Sequence, residues 1–174
     1  MKSKFDEALT LFQNGQLNKA KDICLEIIKV QPNNFDILHL LGLIAFQTKN
    51  YLKSVEIINK AIQIKPDYAE IYDFRAIVLI HLKKFEEAVE SWNRAIKIKP
   101  DYAEAHYNRG NALVELNKID AALESFDRAI QIKPDSDYLF GQLFHTKNSV
   151  CNWNFFKEDL KKLKNKTLKV QKIS

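Results

Sequence analysis

Residues 61–70 read AIQIKPDYAE and residues 95–104 read AIKIKPDYAE, two stretches that differ at one position only. A shorter third copy, AIQIKPD, occupies residues 129–135. Successive copies begin 34 residues apart. The prolines of the chain keep the same spacing, at Pro32, Pro66, Pro100 and Pro134. Self-similarity at a period of 34 residues predicts an array of helix-turn-helix units.

The repeat divides the first part of the chain into four units, which we place at residues 1–34, 35–68, 69–102 and 103–136. Apolar residues recur at helical spacing twice in each unit, which predicts two helices per unit. We expect these helices over residues 3–14, 17–30, 35–48, 51–64, 69–82, 85–98, 103–116 and 119–132. Only four Gly and four Pro occur in 174 residues, which disfavours the many turns of an all-β sandwich. The sequence therefore predicts an all-α protein.

Side-chain size recurs in the same register. Small residues stand where the two helices of a unit must approach closely. They are Ala8, Gly42, Ala76 and Gly110 on the first helices and Ala20, Ser54, Ala88 and Ala122 on the second helices. Bulkier residues follow one turn later on the second helices, at Cys24, Ile58, Trp92 and Phe126. We expect this second set to plug the gaps between units.

Each second helix is predicted to end at its proline. The residue before a proline is disfavoured in the α region, and the proline ring blocks a backbone hydrogen bond. An Asn or Asp follows each proline and is expected to serve in the turn and as a cap for the next helix. These residues are Asn33, Asp67, Asp101 and Asp135.

With small, bulky and proline residues recurring in this register, residues 1–136 resemble the tetratricopeptide repeat family. The resemblance implies a right-handed α-solenoid of helix-turn-helix units. It also implies that the first helices of successive units line a concave groove, which binds an extended peptide or a helix of another protein.

Carried over to this sequence, the groove residues are mostly aromatic and aliphatic, with acids at the edge. The implied partner-binding residues are Phe5, Leu9, Phe12, His39, Leu40, Leu43, Asp73, Phe74, Ile77, His81, Tyr107, Asn108 and Asn111. We expect such a trough to bind an apolar or amphipathic segment of a protein. The alternatives are self-association with another copy of the chain and simple packing between neighbouring first helices.

Two departures from the family pattern narrow the choice of partner. Members that bind chaperone tails hold a C-terminal carboxylate with Lys and Asn, whereas this chain has Phe5 and Leu9 on its opening unit. Glycosyltransferase relatives carry an asparagine ladder along the groove, of which this chain keeps only Asn108. An asparagine amide both donates to and accepts from a peptide backbone, so the loss of the ladder weakens sequence-independent binding.

The charge of the chain is unevenly distributed. The net charge is +5, yet residues 1–136 hold 19 basic and 19 acidic residues, and residues 137–174 hold 8 and 3. A neutral body lacks the basic face that binds phosphate backbones, which argues against nucleic acid as a partner. No apolar run approaches the roughly 20 residues of a membrane helix. Two distant cysteines and no apolar leader favour a reducing cytoplasm.

The pattern changes after Pro134. We expect a C-terminal capping helix pair over residues 137–163 and a lysine-rich, frayed tail over residues 164–174. The run DYLFGQLFHTKNSVCNWNFF at residues 137–156 resembles the segment that links repeats to the catalytic region in bacterial O-linked N-acetylglucosamine transferases and their SPINDLY relatives. This second resemblance implies that the chain is the substrate-recognition portion of such a glycosyltransferase, whose catalytic region is missing from it.

No pattern in the chain indicates catalysis. The four glycines are isolated and form no phosphate-binding loop. The four histidines fall in different predicted helices without metal-ligand spacing. Cys24 and Cys151 are better explained as small buried hydrophobes than as nucleophiles. We therefore expect no cofactor, no metal and no enzymatic activity, and interpret the chain as a protein-protein interaction module.

Overall fold

The computed structural model describes residues 3–134 and the single residue Gly141. This part of the chain forms eight α-helices and no strand, which confirms the predicted all-α fold. The helices are α1 (Lys4–Gln13), α2 (Leu17–Val30), α3 (Phe35–Gln47), α4 (Tyr51–Ile64), α5 (Ala69–His81), α6 (Phe85–Ile98), α7 (Ala103–Glu115) and α8 (Ile119–Ile132). The predicted C-terminal helix pair and tail lie outside the described residues, apart from Gly141.

The second helix of each unit has the predicted boundaries, because its end is set by the proline. Each one stops two residues before that proline, and the residue between them lies outside the α region, for example Lys65 with φ −128° and ψ 81°. Gln31, Lys99 and Lys133 have the same conformation. The steric restriction on a residue that precedes proline therefore ends all four helices at one register position.

The first helices end one residue earlier than predicted, because a left-handed residue follows each of them. Gly15 has φ +73°, and the residues at the same place in the next three units have φ between 56° and 59°. These three are Lys49, Lys83 and Asn117. A residue in this conformation after a helix end directs the chain out of the helix, and only glycine adopts it without steric cost.

Asn33, Asp67 and Asp101 lie in turns as predicted, and Asp135 lies outside the described residues. The capping prediction is off by one position. Asn34, not Asn33, is the N-cap of α3, and its side chain accepts a hydrogen bond of 3.1 Å from the backbone N–H of Ile37. Tyr68 and Tyr102 occupy the equivalent position before α5 and α7 and make no side-chain cap. The first helices nevertheless begin where they were predicted to begin, at Phe35, Ala69 and Ala103.

Small residues bring the two helices of a unit together as predicted. All eight are buried, and the hydroxyl of Ser54 donates a hydrogen bond of 2.8 Å to the carbonyl oxygen of Gly42. The bulkier set is buried as well, with Cys24, Ile58, Trp92 and Phe126 at most 2% exposed. Phe126 lies so close to Gly110 that a Cβ atom on the glycine would be 2.5 Å from Cε1 of the ring.

At a level above the 34-residue repeats, the chain divides into two larger compact units, Met1–Pro100 and Asp101–Ser174, which we call unit 1 and unit 2. Unit 1 contains α1 to α6, and neighbouring helices along the chain pack on each other from α1 to α6 in turn. The described part of the second, unit 2, is the pair α7 and α8. No helix in the described residues is long and apolar enough to cross a membrane.

Candidate partner-binding site

The predicted groove residues of unit 1 lie on α1, α3 and α5, the first helices of its repeats. All but one of them keep part of their side chain at the surface, half-buried or, for His81, exposed. We call the surface formed by these side chains the first-helix face. It consists of Phe5, Leu9, Phe12, His39, Leu43, Asp73, Phe74, Ile77 and His81.

Leu40 is the exception. Its side chain is 3% exposed and belongs to the core that also contains Ala8, Ala20 and Ile44. Phe5, Leu9 and Phe12 pack against this core from α1 while remaining half-buried. Leu40 therefore packs in the core beneath the first-helix face, and its side chain is not accessible to a partner.

A chain of ring contacts links α3, α4 and α5 at this face. The ring of Phe74 lies 5.9 Å from the His39 imidazole and 5.7 Å, edge-on, from the ring of Phe46. Phe46 in turn lies 5.1 Å from His81, and His81 stacks on Tyr51 at 4.8 Å. At the other end His39 contacts Phe35 and Tyr68. Edge-to-face and offset contacts of this kind add rigidity to the packing of the helices.

Tyr51 and Tyr68 were missed by the sequence reading, although both contact predicted site residues. Tyr51 begins a second helix and Tyr68 precedes a first helix, whereas the prediction used one side of the first helices only. The available signal was the aromatic character shared by Tyr68 and Tyr102 at one register position.

The imidazole of His39 is half-buried and contacts the rings of Phe35, Tyr68 and Phe74. Burial lowers the pKa of its imidazole below the ordinary value, and the carboxylate of Asp36 acts in the opposite direction. The neutral imidazole is therefore favoured, and it offers one donor and one acceptor at an otherwise apolar part of the first-helix face.

The acids near this face are held by other side chains. The indole N–H of Trp92 donates a hydrogen bond of 2.7 Å to Oδ1 of Asp73. Lys99 Nζ lies 3.4 Å from Oε1 of Glu70. The predicted acidic edge is thus partly neutralised within the repeat.

In unit 2 the three predicted residues lie on α7. Tyr107, Asn108 and Asn111 are all half-buried, and the ring of Tyr107 lies 5.8 Å from that of Phe126. Tyr107 therefore packs on α8, the second helix of the same repeat.

Models of known sequence families match several stretches of this chain. Models described as tetratricopeptide repeat match residues 35–68 and 103–136, and one described as TPR repeat matches residues 77–117. Together they span more than half of the chain.

The chain belongs to the tetratricopeptide repeat family.

Solved structures of tetratricopeptide repeat folds resemble this chain over most of its length. A crystal structure of MamA is 21% identical with a TM-score of 0.81, and the match covers 96% of this chain and 98% of that one. MamA 41-end from Desulfovibrio magneticus RS-1 is 16% identical with a TM-score of 0.82, over 95% and 96% of the two chains. Identity at this level shows a common fold. A comparison with curated protein sequences gave no match.

A third structure contains a bound peptide. The first TPR domain of Spaghetti (RPAP3), bound to the HSP90 peptide SRMEEVD, is 22% identical with a TM-score of 0.63. The match covers 67% of this chain and 92% of that one.

The tetratricopeptide repeats described here carry no group of three or more His, Cys, Asp or Glu side chains that could hold a metal ion. Cys24 is fully buried, and burial raises the pKa of its thiol to about 11. At neutral pH this thiol is protonated and enclosed, so it acts as a small core side chain.

Proposed function

We propose that the first-helix face of unit 1 binds an apolar or amphipathic segment of another protein. The observation that carries this proposal is a row of half-buried aromatic and aliphatic side chains on α1, α3 and α5, in which the ring of Phe74 on α5 contacts His39 and Phe46 of α3. Anchored aromatic side chains bind partners at low cost in side-chain entropy.

Charge supports a protein segment over nucleic acid. The predicted residues of the first-helix face include no Lys or Arg, so a phosphate backbone would find no cation there. Asp73 and Glu70 are already engaged by Trp92 and Lys99, which leaves apolar contact as the main source of affinity. A peptide in the related fold of RPAP3 gives further support for this class of ligand.

Unit 2 contributes three further residues that we predict to contact the partner, namely Tyr107, Asn108 and Asn111. Asn108 is the one asparagine that matches the ladder of the transferase relatives, and both asparagines are half-buried on α7. Replacing each with Ala tests their contribution separately from unit 1.

The test begins with selection of binding peptides from a displayed random library on the full chain. An enriched peptide is then titrated by calorimetry against the wild-type protein and Leu43→Asp, which places a charge on the first-helix face. We expect Leu43→Asp to weaken binding at least tenfold, because a carboxylate must be desolvated against the apolar ligand.

The matched control is Leu52→Asp, because Leu52 is 70% exposed on α4 and lies outside the first-helix face. It should leave the dissociation constant within about twofold of the wild-type value. Equal losses for the two variants, with both folded by circular dichroism, would refute the assignment of the face. The peptide SRMEEVD should bind at least tenfold more weakly than the selected peptide, since Phe5 and Leu9 replace the residues of a carboxylate clamp.

A second candidate function rests on the sequence of residues 137–156, which lie outside the described residues except for Gly141. Their resemblance to the transferase junction supports a role in presenting substrates to a glycosyltransferase. Continuation of the reading frame, or of its neighbour, into a sugar-nucleotide-binding region would favour this candidate. For the chain itself we expect no turnover of a sugar nucleotide, and measurable transfer or hydrolysis would contradict that expectation.

A further inference from the structure

A second apolar surface lies in unit 1 between the second helices α2 and α4. It is a crevice with a volume of about 570 Å³, which we call the second-helix crevice. Its floor is formed by Leu38, Leu41 and Ile44 of α3. At 100° per residue these positions fall on the side of α3 away from His39, Leu43 and Phe46, so the crevice and the first-helix face are separate surfaces.

The walls of the crevice are aliphatic. Leu25 and Ile28 line it from α2, and Ile57 lines it from α4. Leu25 is 40% exposed, one of the few large apolar side chains at the surface of the described residues. A volume of this size accommodates several apolar side chains of a ligand.

The rim of the crevice is basic. Lys21 lies on α2, and Lys53 and Lys60 lie on α4. The carboxylate of Glu56 pairs with both α4 lysines, at 2.8 Å and 3.3 Å, and no acid lines the crevice itself. The rim therefore keeps a net positive charge, with Lys21 in no ion pair within the described residues.

Amide side chains stand at the edge of the crevice. Asn18 lines it from α2, and Asn50, the N-cap of α4, uses its oxygen to accept from the backbone N–H of Lys53. The amide N–H groups of Asn50 thus remain available as donors to a peptide carbonyl.

Charge decides between the possible occupants. The C-terminal segment of this chain carries 8 basic and 3 acidic residues in residues 137–174, so it would be repelled by the lysines. A second copy seated on the same surface would bring two sets of lysines together. Single-stranded nucleic acid requires aromatic side chains for stacking, and the residues lining the crevice include none.

We propose that the second-helix crevice binds a short acidic and apolar peptide segment of a partner protein. Its apolar side chains pack on the floor and its carboxylate pairs with Lys21. The wall from Asn18 to Ile28 spans about 15 Å of helix, which corresponds to four or five residues of extended peptide. This surface is independent of the one assigned under the proposed function.

The test uses the full chain and a fluorescein-labelled eight-residue peptide in which Glu residues are separated by Leu-Ile pairs. A twin peptide has Lys in place of every Glu. Fluorescence anisotropy should show that the acidic peptide binds at least tenfold more tightly than its twin, and that its affinity falls as salt is added.

Two pairs of variants locate the binding. Lys21→Glu should weaken binding of the acidic peptide at least tenfold, whereas Lys19→Glu, the same charge change on the same helix outside the crevice, should stay within threefold. Leu25→Asp should also weaken it at least tenfold, and Leu52→Asp should not. Leu43→Asp on the first-helix face should leave this affinity unchanged, which separates the two proposals.

Several outcomes would overturn the proposal. Equal affinity for the acidic and basic peptides, or equal losses in Lys21→Glu and Lys19→Glu, would show that binding does not occur in the crevice. Binding of dodecanoate that is lost in Lys21→Glu, without binding of the peptide, would identify a lipid carboxylate site instead. A dimer in sedimentation that dissociates in Leu25→Asp would identify a second copy as the occupant. Circular dichroism of each variant establishes that it is folded.

Discussion

The indole N–H of Trp92 donates a hydrogen bond of 2.7 Å to the carboxylate of Asp73, which joins α6 to α5 inside one repeat. Trp92 is 2% exposed, so water could not reach its N–H to take the place of the carboxylate if Asp73 were removed. A buried donor left without a partner is costly, and bonds to charged groups are stronger than neutral ones.

We predict a coupling free energy of about 1.5 kcal/mol between these two side chains. It is measured by urea unfolding of Trp92→Phe, Asp73→Ala and the double variant, because such a cycle isolates the pair from the lost ring volume. Asp73→Asn keeps an acceptor oxygen and should retain most of the stability. Additive effects in the cycle would show that the contact contributes nothing.

The two glycines at helix contacts should respond differently to alanine. A Cβ on Gly110 would lie 2.5 to 2.9 Å from three atoms of the Phe126 ring, whereas a Cβ on Gly42 would be 3.2 Å from Cγ1 of Ile58. Gly110→Ala should lower the free energy of unfolding by about 1–3 kcal/mol, since overpacking costs more than helix propensity returns. Gly42→Ala should change it by less than about 1 kcal/mol.

The control for the first variant is the double replacement Gly110→Ala with Phe126→Leu, which removes the ring that causes the clash. This double variant should be more stable than the sum of the two single effects predicts. Equal losses for Gly110→Ala and Gly42→Ala in thermal unfolding would contradict the packing seen around Phe126.

The left-handed residue after α3 offers a stabilising substitution. Lys49 has φ 59°, a conformation that costs a residue with a Cβ about 1–2 kcal/mol. Lys49→Gly should therefore raise the free energy of unfolding by about 0.5–1 kcal/mol, because the added freedom of the unfolded chain offsets part of the gain.

Lys97→Gly is the matched control, since Lys97 lies inside α6 and glycine there should cost about 1 kcal/mol. Urea denaturation of both variants tests the difference in sign. A loss of stability in Lys49→Gly would mean that the turn after α3 tolerates lysine without strain.

Stability should fall on mild acidification because of His39. Its folded pKa is lowered by burial, so below about pH 6.5 the unfolded chain binds a proton that the folded chain does not. The free energy of unfolding should decrease as the pH falls through this range and level off below the folded pKa. His39→Phe, which keeps the ring contacts, should show a smaller decrease.

The titration of His39 is measurable directly by nuclear magnetic resonance of its ring protons, assigned by their loss in His39→Phe. The midpoint should lie below that of an unfolded histidine peptide. Asp36→Asn should lower the midpoint further, because it removes the charge that favours the protonated imidazole. An unshifted midpoint in the wild-type protein would contradict the burial of this side chain.

The helix map followed from the sequence because steric signals repeat in every unit. Proline sets the end of α2, α4, α6 and α8, and the alternation of small and bulky residues identifies the contact between paired helices. These effects act over one or two turns, so a linear reading captures them.

The site was harder to predict, since it depends on which side of a helix faces the surface. Helix α3 reads FDILHLLGLIAFQ and is apolar almost all round, and both α2 and α4 pack on it. Leu40 and Leu43 are therefore indistinguishable by pattern, yet only Leu43 reaches the surface. A lysine side chain does not indicate a left-handed backbone, so the positive φ of Lys49 and Lys83 could not be predicted from residue type. Both residues occupy the same position in their repeats as Gly15, and this correspondence could have indicated the conformation.

One lysine in each of the last two repeats pairs with a glutamate from the start of the same repeat. Lys99 reaches Glu70, and Lys133 reaches Glu104. Trp92 with Asp73, Ser54 with Gly42 and Arg109 with Ser125 are likewise closed within one repeat. When a gene segment of one repeat is copied or lost, both members of each such pair are copied or lost together. Repeat number can therefore change in evolution without leaving any of these polar groups stranded.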